Sequence, residues 1–320
     1  MIFNKLKIKG VTLKNKIVVS PMCQYSGKSG CPTLWHYNHL SNLVESGAGM
    51  VMIESTAVSK NGKITHKDLC LSNLIQEKKF KKLKKFLSEI NNIPIGIQIS
   101  HAGRKGSSFV PWIKGNTPLD KKNKRWKTVS ASAIKRDKNW PTPRELTTKE
   151  IIKIINQFKN TALRAKRIGF DCLEIHMAHG YLLHQFLSPI SNKRSDEFGL
   201  GKDKLSKFPL KIAKEVRKIW PKNKILGARI TATDHLSGGI SIKDSILLSN
   251  NLKKIGFDYV CVSSGGILPK TKMKIKKAFR KDLSKEIKKK TNIMVRTSGQ
   301  IDSFKLAEKI IKANVVDFVA

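Results

Sequence analysis

The stretch Cys172–Tyr181, CLEIHMAHGY, has the pattern of a β-strand that ends in a cluster of polar side chains. Read with a period of two, Leu173 and Ile175 point to one side, and the intervening cysteine, glutamate and histidine point to the other. A strand with one apolar and one polar face inside a large α/β chain predicts a barrel with a polar lumen. The two histidines and the tyrosine at its carboxyl end predict a functional site.

Short β-rich segments alternate with longer amphipathic segments along the chain, which is typical of a parallel sheet. The predicted strands are Ile17–Ser20, Met50–Glu54, Ile95–Ser100, Cys172–His176, Ile225–Ile230, Tyr259–Ser263, Ile293–Ser298 and a last one that begins at Val315. The predicted helices are Leu74–Ile90, Lys149–Ile168, Leu205–Ile219, Ile242–Ile255 and Phe304–Ala313. Eight strands in 320 residues predict one (β/α)8 TIM barrel rather than two open sheets.

The two faces of the predicted strands support a closed barrel. In Ile95–Ser100 the three isoleucines share one face, while glycine, glutamine and serine share the other. We expect the apolar face to pack under the helices and the small or polar face to line the lumen. The seventh strand fits less well, with Met294, Arg296 and Ser298 opposite Val295 and Thr297.

We expect one domain over residues 1–320, with a long excursion at about 101–146 that is rich in Pro, Trp and Lys. Loops of this length inside a compact domain are usually lids, binding loops or excursions with a short hairpin, and disorder is the alternative. Because the last predicted strand has no helix after it, we also expect a barrel truncated at the start of strand eight.

The composition is strongly basic, with 63 Lys and Arg against 23 Asp and Glu and a formal net charge of +40. The densest runs are 114–139 and 270–290. Such charge could attract nucleic acid, but lysines more often cover solvated faces. No recognised nucleic-acid-binding motif and no interleaved aromatic residues accompany them, so we do not expect a nucleic-acid partner.

Cysteine usage and the absence of apolar runs indicate the compartment. The five cysteines, at 23, 31, 70, 172 and 261, contain no CxxC pair and are expected to be reduced thiols. The N-terminus lacks the apolar core of a signal peptide, and no segment is long and apolar enough to cross a membrane. We therefore expect a cytoplasmic protein without a membrane partner.

Active sites of such barrels lie at the carboxyl ends of the strands. The polar residues found there are Ser20–Tyr25, Glu54 and Ser55, Gln98–Lys105, His176–Tyr181, Arg229, Ser263–Gly266, and Ser298 with Gly299. This set has no carboxylate pair placed for hydrolysis and no Walker-type loop. Its neutral donors, one arginine and one thiol suit a planar heterocycle and a carbonyl-like oxygen.

A zinc site is a competing interpretation of His176 and His179, since closely spaced histidines are common zinc ligands. Only His101 lies at another strand end, and no Asp or Glu accompanies it there. We therefore predict no metal site. Histidines whose hydrogen bonds are satisfied within the core remain a third interpretation.

Four separate runs resemble the flavin-dependent old yellow enzyme family, in the branch that carries a cysteine beside the flavin. The runs are Ser20–Cys23, Gln98–Lys105, Glu174–Tyr181 and Phe186–Asn192, and they occur in the family's order. The resemblance implies FMN as cofactor, NADPH or NADH as reductant, and reduction of activated C=C bonds in enones or enals, with nitro compounds or quinones as further candidates. It also implies a homodimer or homotetramer. The alternative is a flavin-poor or inactive barrel whose basic surface binds nucleic acid or other polyanions.

The resemblance also implies which residues hold FMN. They are Ser20, Pro21, Met22, Cys23, Ser55, Gln98, Arg229, Ser264 and Gly299. Cys23 would modulate the flavin potential, and Ser55 stands where the family usually has alanine or glycine. Gln98 would bond the pyrimidine edge, Arg229 would stabilise negative charge near N1 and O2, and Gly299 would offer a backbone donor to the phosphate.

The catalytic residues implied by the resemblance are His176, His179, Tyr181 and Cys23. The two histidines would also bind substrate, by donating hydrogen bonds to its activating oxygen. Tyr181 would protonate the α-carbon, because a phenol with an ordinary pKa near 10 keeps its proton at neutral pH. Tyr25 would line the substrate pocket.

The chain departs from the family pattern in two places. The segment Leu200–Leu205 replaces the usual Gly-Ser and Glu-Asn-Arg run, which puts the packing around the fourth helix in doubt. The family's phosphate-binding Gly-Arg pair follows strand eight and is not present before Ala320. We therefore expect this 320-residue chain to hold FMN weakly or not at all, unless one of its many lysines substitutes.

Overall fold

The computed structural model describes residues 1–115, 117–269, 271 and 273–320. Within these ranges eight parallel strands form one sheet in which each strand pairs with its neighbour in the chain. They are β1 (Val18–Val19), β2 (Met50–Ala57), β3 (Ile95–Ser100), β4 (Cys172–Met177), β5 (Ile225–Thr231), β6 (Tyr259–Ser263), β7 (Met294–Thr297) and β8 (Phe318–Val319). All the strands predicted from the sequence are present.

The sheet closes into a ring through its short eighth strand. A parallel bridge joins Ile17 to Val319, and the Val319 N–H donates to the Lys16 carbonyl at 3.0 Å. On its other side β8 pairs with β7. Both neighbours of β8 are therefore hydrogen-bonded, and the (β/α)8 barrel predicted from the sequence is confirmed.

Helices follow the first seven strands in turn across the described part of the chain. They are α1 (Leu34–Glu45), α2 (Leu74–Ile90), α3 (Thr148–Ile168), α4 (Lys207–Ile219), α5 (Ile242–Ile255), α6 (Lys281–Thr291) and α7 (Phe304–Lys312), with short helices at Pro111–Lys114 and Leu182–Leu187. The predicted limits of α2 and α5 agree with the structure, whereas α1 and α6 were not predicted. Among these described helices none combines the length and the apolar character needed to cross a membrane.

Two layers of side chains separate as the alternation predicted. Outward residues such as Ile97, Leu173 and Val260 belong to the large core beneath the helices. Inward residues such as Cys172 and Tyr259 form a second, smaller cluster in the lumen. The N-terminal hairpin, Leu6–Ile8 with Val11–Leu13, adds Ile8 and Leu13 to this inner cluster and covers the amino ends of the strands.

A buried polar network crosses the lumen. The Glu174 carboxylate lies 2.5 Å from an Arg296 guanidinium nitrogen and accepts from the Tyr259 hydroxyl at 2.7 Å and from Gln98 Nε2 at 2.7 Å. Both Glu174 and Arg296 are fully buried. Arg296 belongs to the strand that fitted the expected alternation less well, and in the structure it is the counter-charge of Glu174. A Cβ at Gly227 would collide with the Tyr259 ring, so glycine is needed there.

The excursion at 101–146 is folded against the barrel mouth. Two short parallel strands, Val129–Ser130 and Arg144–Glu145, pair with each other, so the paired segments are not the hairpin considered from the sequence. Arg104 ties the excursion to the barrel by donating to the carbonyls of Ile134 at 3.1 Å and Ile267 at 2.9 Å. A second contact comes from Trp112, which lies edge-on to Tyr25 at the mouth.

The unusual segment Leu200–Leu205 does not disturb the neighbouring helix. Leu200 forms an antiparallel bridge with Ser206, the residue that caps α4 by accepting from the Phe208 N–H at 3.2 Å. Phe208 then packs on Phe186 with ring centroids 4.4 Å apart. The doubt raised by the sequence about packing near this helix is therefore resolved.

Candidate active site

A tight turn after β4 brings His176, His179 and Tyr181 together at the barrel mouth. The ring centroids of His176 and His179 are 5.1 Å apart, and those of His176 and Tyr181 are 4.8 Å apart at an interplanar angle of 88°. His179 has a φ of +57° and Gly180 a φ of +72°, in the left-handed region that costs a non-glycine residue energy. The surroundings must therefore hold this turn in place.

A buried pair behind the turn holds it. The Gly180 N–H donates to His184 Nδ1 at 2.7 Å, and His184 Nε2 lies 3.0 Å from an oxygen of Asp234. The Ser188 hydroxyl donates to the other Asp234 oxygen at 2.7 Å. Because His184 Nδ1 is an acceptor, its proton lies on Nε2, the nitrogen next to the carboxylate.

The structure determines how His176 presents itself to the pocket. Its Nδ1 accepts the Ala178 N–H at 3.1 Å. Burial, reinforced by the charge of Arg229, holds the pKa of His176 well below its usual value. The ring is therefore neutral at pH 7 with its proton on Nε2, so it offers one N–H donor.

His179 is also neutral, and its donor depends on a serine that sequence reasoning did not assign. Burial, followed by the charge of Arg229, holds the pKa of His179 well below its usual value. Its Nε2 lies 2.5 Å from the Ser263 hydroxyl at the end of β6. When that hydroxyl donates to Nε2, the ring proton lies on Nδ1 and remains available to a ligand.

Tyr181 keeps its proton, and a lysine that we had not assigned to the site lies above its ring. Burial raises the pKa of Tyr181 well above 10. Lys105 Nζ is 4.9 Å from the ring centroid and donates to the His179 carbonyl at 2.7 Å. Burial, with the charges of Arg136 and Arg104, lowers the pKa of Lys105 to about 7. Its position directly after Arg104 in a matching run was the signal that could have identified it.

Cys23 and Tyr25 lie beside this cluster. Burial and the carboxylates of Asp68 and Glu54 raise the pKa of Cys23 well above its usual value, so the side chain is a thiol and not a thiolate. Tyr25 has a φ of +48°, and its ring centroid is 5.8 Å from that of Trp112. Burial also raises the pKa of Tyr25.

Two of the residues expected at the flavin ring have well-defined partners. Gln98 is buried, and its Nε2 is committed to Glu174, which leaves its Oε1 as an acceptor. The Ser55 hydroxyl lies 2.6 Å from that of Ser100. Ser55 therefore has a hydrogen-bond partner in a position where the family usually has a smaller residue.

The remaining ring residues occupy the end of the first strand and the centre of the mouth. Ser20 and Pro21 follow β1, with Pro21 buried and Met22 57% exposed in a shallow groove beside His39. Arg229 pairs in register with His176, and its Nε is buried without a hydrogen-bond partner among the described residues. This N–H is therefore not committed to any acceptor within the described residues.

Ser264 and Gly299 lie together at the ends of β6 and β7. The Ser264 hydroxyl accepts from Arg280 Nε at 3.2 Å. Gly299 has a φ of +125°, and a Cβ there would come within 2.8 Å of the Phe279 ring and 3.2 Å of an Arg280 nitrogen. Arg280 was read from the sequence only as part of a basic run, and no local signal separates it from the lysines around it.

The mouth is therefore rich in cations that have no carboxylate partner. Arg229, Lys105 and Arg280 take part in none of the ion pairs formed by the described residues. An anionic ligand with a planar ring edge fits these groups, because Gln98 Oε1 can accept and the guanidinium groups can donate. The residues present thus fit FMN, whose ring edge and phosphate need both kinds of partner.

His101, considered as an additional metal ligand, is used within the fold. Its Nδ1 accepts the Gly103 N–H at 3.1 Å, and burial lowers its pKa to about 4. Over the ranges that the structure describes, His, Cys, Asp and Glu side chains form no group of three or more that could hold a metal ion.

The barrel and the groups at its mouth together define a flavin-dependent oxidoreductase. The chain belongs to the NADH:flavin oxidoreductase / NADH oxidase family, the old yellow enzymes, and the family model matches residues 1–320. FMN is accordingly its cofactor and NADH or NADPH its reductant.

Individual relatives agree with this assignment. An NADH:flavin oxidoreductase of Gibberella zeae is 38% identical over 331 residues, covering 98% of this chain and 80% of that protein. An NADPH dehydrogenase of Clostridium acetobutylicum is 36% identical over 325 residues, covering 100% and 89%. Morphinone reductase has a similar structure, with a TM-score of 0.81 at 21% identity over 100% of this chain and 84% of its own, which shows the shared fold.

Proposed function

We propose that this flavin oxidoreductase reduces C=C bonds conjugated to a carbonyl group, as in enones and enals, with nitro compounds and quinones as further substrates. The observation that carries the proposal is the arrangement of His176 beside Tyr181. A neutral imidazole with its proton on Nε2 and a protonated phenol lie within 4.8 Å, measured between ring centroids. One group suits binding an oxygen, and the other suits delivering a proton.

In this proposal His176 and His179 donate hydrogen bonds to the carbonyl oxygen of the substrate. Negative charge develops on that oxygen as the β-carbon is reduced, and fixed donors stabilise it without reorganisation. The low pKa values of both imidazoles support the assignment, because neutral rings bind a neutral substrate without losing a solvated charge. Ser263 and the Ala178 N–H act as positioning groups that set which ring nitrogen carries the proton.

Tyr181 protonates the α-carbon of the substrate in this proposal. The raised pKa of Tyr181 keeps the proton available over the whole neutral range. Lys105 above the ring favours the phenolate that remains after transfer, because a cation over an aromatic face is attracted to its negative charge. Tyr25, with Trp112 against it, forms the wall of the substrate pocket.

FMN, when bound, would supply the hydride chemistry that links NADH or NADPH to the β-carbon of the substrate. Gln98 would hold its pyrimidine edge through Oε1, and Arg229 would sit close to its negative charge. Ser20, Pro21, Met22 and Ser55 would bound the ring. The protonated Cys23 thiol would modulate its potential as a neutral, polarisable neighbour.

We extend the proposal to the whole molecule. A single domain over residues 1–320 is supported by the one continuous core that joins strands and helices of the barrel. A cytoplasmic location is supported by five cysteines that are all free thiols. We propose a homodimer or homotetramer on the resemblance to the family alone.

Tyr181→Phe tests the proposal. We expect the bound flavin to be bleached by NADPH at the normal rate, and its reoxidation by 2-cyclohexenone to slow by about 10²- to 10³-fold. The matched control is Tyr25→Phe, which removes a hydroxyl from the same pocket and should change reoxidation by less than about tenfold.

Two results would contradict the proposal. Unchanged reoxidation of Tyr181→Phe by the enone would remove Tyr181 as the proton donor. Purified protein without a flavin spectrum, retained on DNA in a salt-dependent way, would instead favour the alternative of an inactive polyanion-binding barrel.

A further inference from the structure

We propose that Arg280 is the cationic ligand for the phosphate of FMN and that the carboxyl ends of β6 and β7 complete this anion site. The inference rests on the assignment of FMN as cofactor and names a residue that lies outside all the motifs used to reach it. Arg280 immediately precedes α6, in a basic run where its neighbours are mostly exposed.

Arg280 is held over the strand ends by its own hydrogen bonds. Its Nε donates to the Ser264 hydroxyl at 3.2 Å, and its Nη1 lies 3.4 Å from the Ser298 carbonyl and 3.5 Å from the Ser298 hydroxyl. The guanidinium plane stacks on Phe279, with its central carbon 4.2 Å from the ring centroid. Three groups therefore fix this side chain, while Nη2 has no hydrogen-bond partner among the described residues.

The backbone beside Arg280 supplies a second donor that could bind an anion. Gly299 has a φ of +125°, and a Cβ at this position would meet Phe279 at 2.8 Å and Arg280 Nη1 at 3.2 Å. Its N–H forms no hydrogen bond with other described residues, so it is available as a donor. An unused N–H pair on Nη2 and an unused backbone N–H next to it match the acceptors of a phosphate group.

The charges around Arg280 indicate an anion rather than a protein carboxylate. Arg280 takes part in none of the ion pairs of the described chain, and Arg229 is close enough for its charge to act on Arg280. Burial, and then that neighbouring charge, lower the pKa of Arg280 to about 10, so it remains protonated at pH 7. Two partly buried guanidinium groups without a counter-ion repel each other until an anion is bound between or beside them.

The structure places an arginine beside Gly299, the residue expected to donate its backbone N–H to the phosphate. A cation and a backbone donor are thus available together at the ends of β6 and β7.

The test compares FMN with riboflavin, which has the same ring system without the phosphate. The purified protein is freed of flavin by dialysis against potassium bromide, and each flavin is titrated back by fluorescence quenching. We expect Arg280→Gln to weaken FMN binding by about 10- to 100-fold and to change riboflavin binding by less than about twofold. Arg280→Lys should retain part of the preference for FMN, because it keeps the charge without the planar donor pair.

The matched control is Lys281→Gln, which removes one positive charge from the next, exposed residue and should leave both affinities unchanged within about twofold. Arg280→Met, which keeps an apolar stem against Phe279, replaces Arg280→Gln if the latter does not fold. Equal weakening of both flavins, or an unchanged affinity for FMN, would overturn the assignment of Arg280. If wild-type protein binds neither flavin, FMN itself is the wrong cofactor and both proposals fail.

Discussion

Arg296 in the lumen and Arg229 at the mouth both lie on inner faces of barrel strands, yet their surroundings differ in one respect. Arg296 is paired with the Glu174 carboxylate at 2.5 Å, and Tyr259 and Gln98 complete the hydrogen bonding of that carboxylate. Arg229 has no carboxylate partner in the described chain, although the Nε of both arginines is buried without an acceptor. The charge of Arg296 is thus balanced within the fold, whereas the charge of Arg229 is left available to a ligand.

The two regions also meet at one residue. Gln98 uses Nε2 for the lumen carboxylate and keeps Oε1 for the mouth. The lumen network thus sets which end of the Gln98 amide is available to a cofactor, because an amide with its nitrogen committed presents its oxygen elsewhere. The Gln98 side chain therefore connects the hydrogen-bond network of the lumen with cofactor binding at the mouth.

Breaking the lumen pair should have the largest effect on stability. Glu174→Gln leaves the Arg296 guanidinium buried without its counter-charge, and we expect a loss of about 3–5 kcal/mol in the free energy of unfolding. Urea denaturation of the flavin-free protein measures this loss.

The double variant Glu174→Gln/Arg296→Met is the control, and it should recover part of the stability by removing the unpaired charge. A loss below about 1 kcal/mol for Glu174→Gln would show that the pair does not stabilise the barrel.

Removing the unpaired arginine at the mouth should change FMN affinity strongly and stability little, the opposite of the lumen variant. Arg229→Met breaks no ion pair, so we expect the flavin-free protein to unfold within about 1 kcal/mol of wild type. Its affinity for FMN should fall by about tenfold or more, because a buried charge-assisted hydrogen bond is lost.

Arg229→Lys is the control for charge alone and should retain more FMN than Arg229→Met. Flavin titration and urea denaturation on the same preparations separate the two effects. A destabilisation as large as that of Glu174→Gln, with normal FMN binding, would mean that the mouth arginine is structural after all.

The contrast between the two regions also explains what could be read from the sequence. Strand positions followed from period-two alternation, and helices such as α2 and α5 followed from their apolar stripes. The helix α6 was missed because only a few apolar residues, Leu283 and Ile287 among them, interrupt its lysines. The pattern alone does not distinguish such a segment from a solvated loop.

The residues missed at the site share a second cause. Lys105 and Arg280 are basic residues in a chain of net charge +40, where the usual interpretation of a Lys or Arg is an exposed position. Their burial depends on tertiary packing between segments far apart in the chain. His176, His179 and Tyr181 could be predicted because their residue types and spacing are already specific.

The smallest expected effect on stability concerns Lys105. Its charge at the mouth has no carboxylate partner, but the ammonium group can lose it by deprotonation. Burial and the nearby arginines lower its pKa to about 7, from a usual value near 10.5 in the unfolded chain. Between these values the unfolded state binds the proton and the native state does not, so stability rises with pH in that range. The cost of burying this ammonium is full below pH 7 and disappears toward pH 10.5.

Lys105→Met removes this pH dependence. We expect the variant to gain stability relative to wild type, and this gain should be larger at pH 6 than at pH 9 by about 1–2 kcal/mol. Lys114→Met, at an exposed position of the excursion, is the control and should show no such difference. Parallel pH profiles for wild type and Lys105→Met would mean that a carboxylate or solvent balances Lys105, and that the unbalanced charge of the mouth is confined to Arg229 and Arg280.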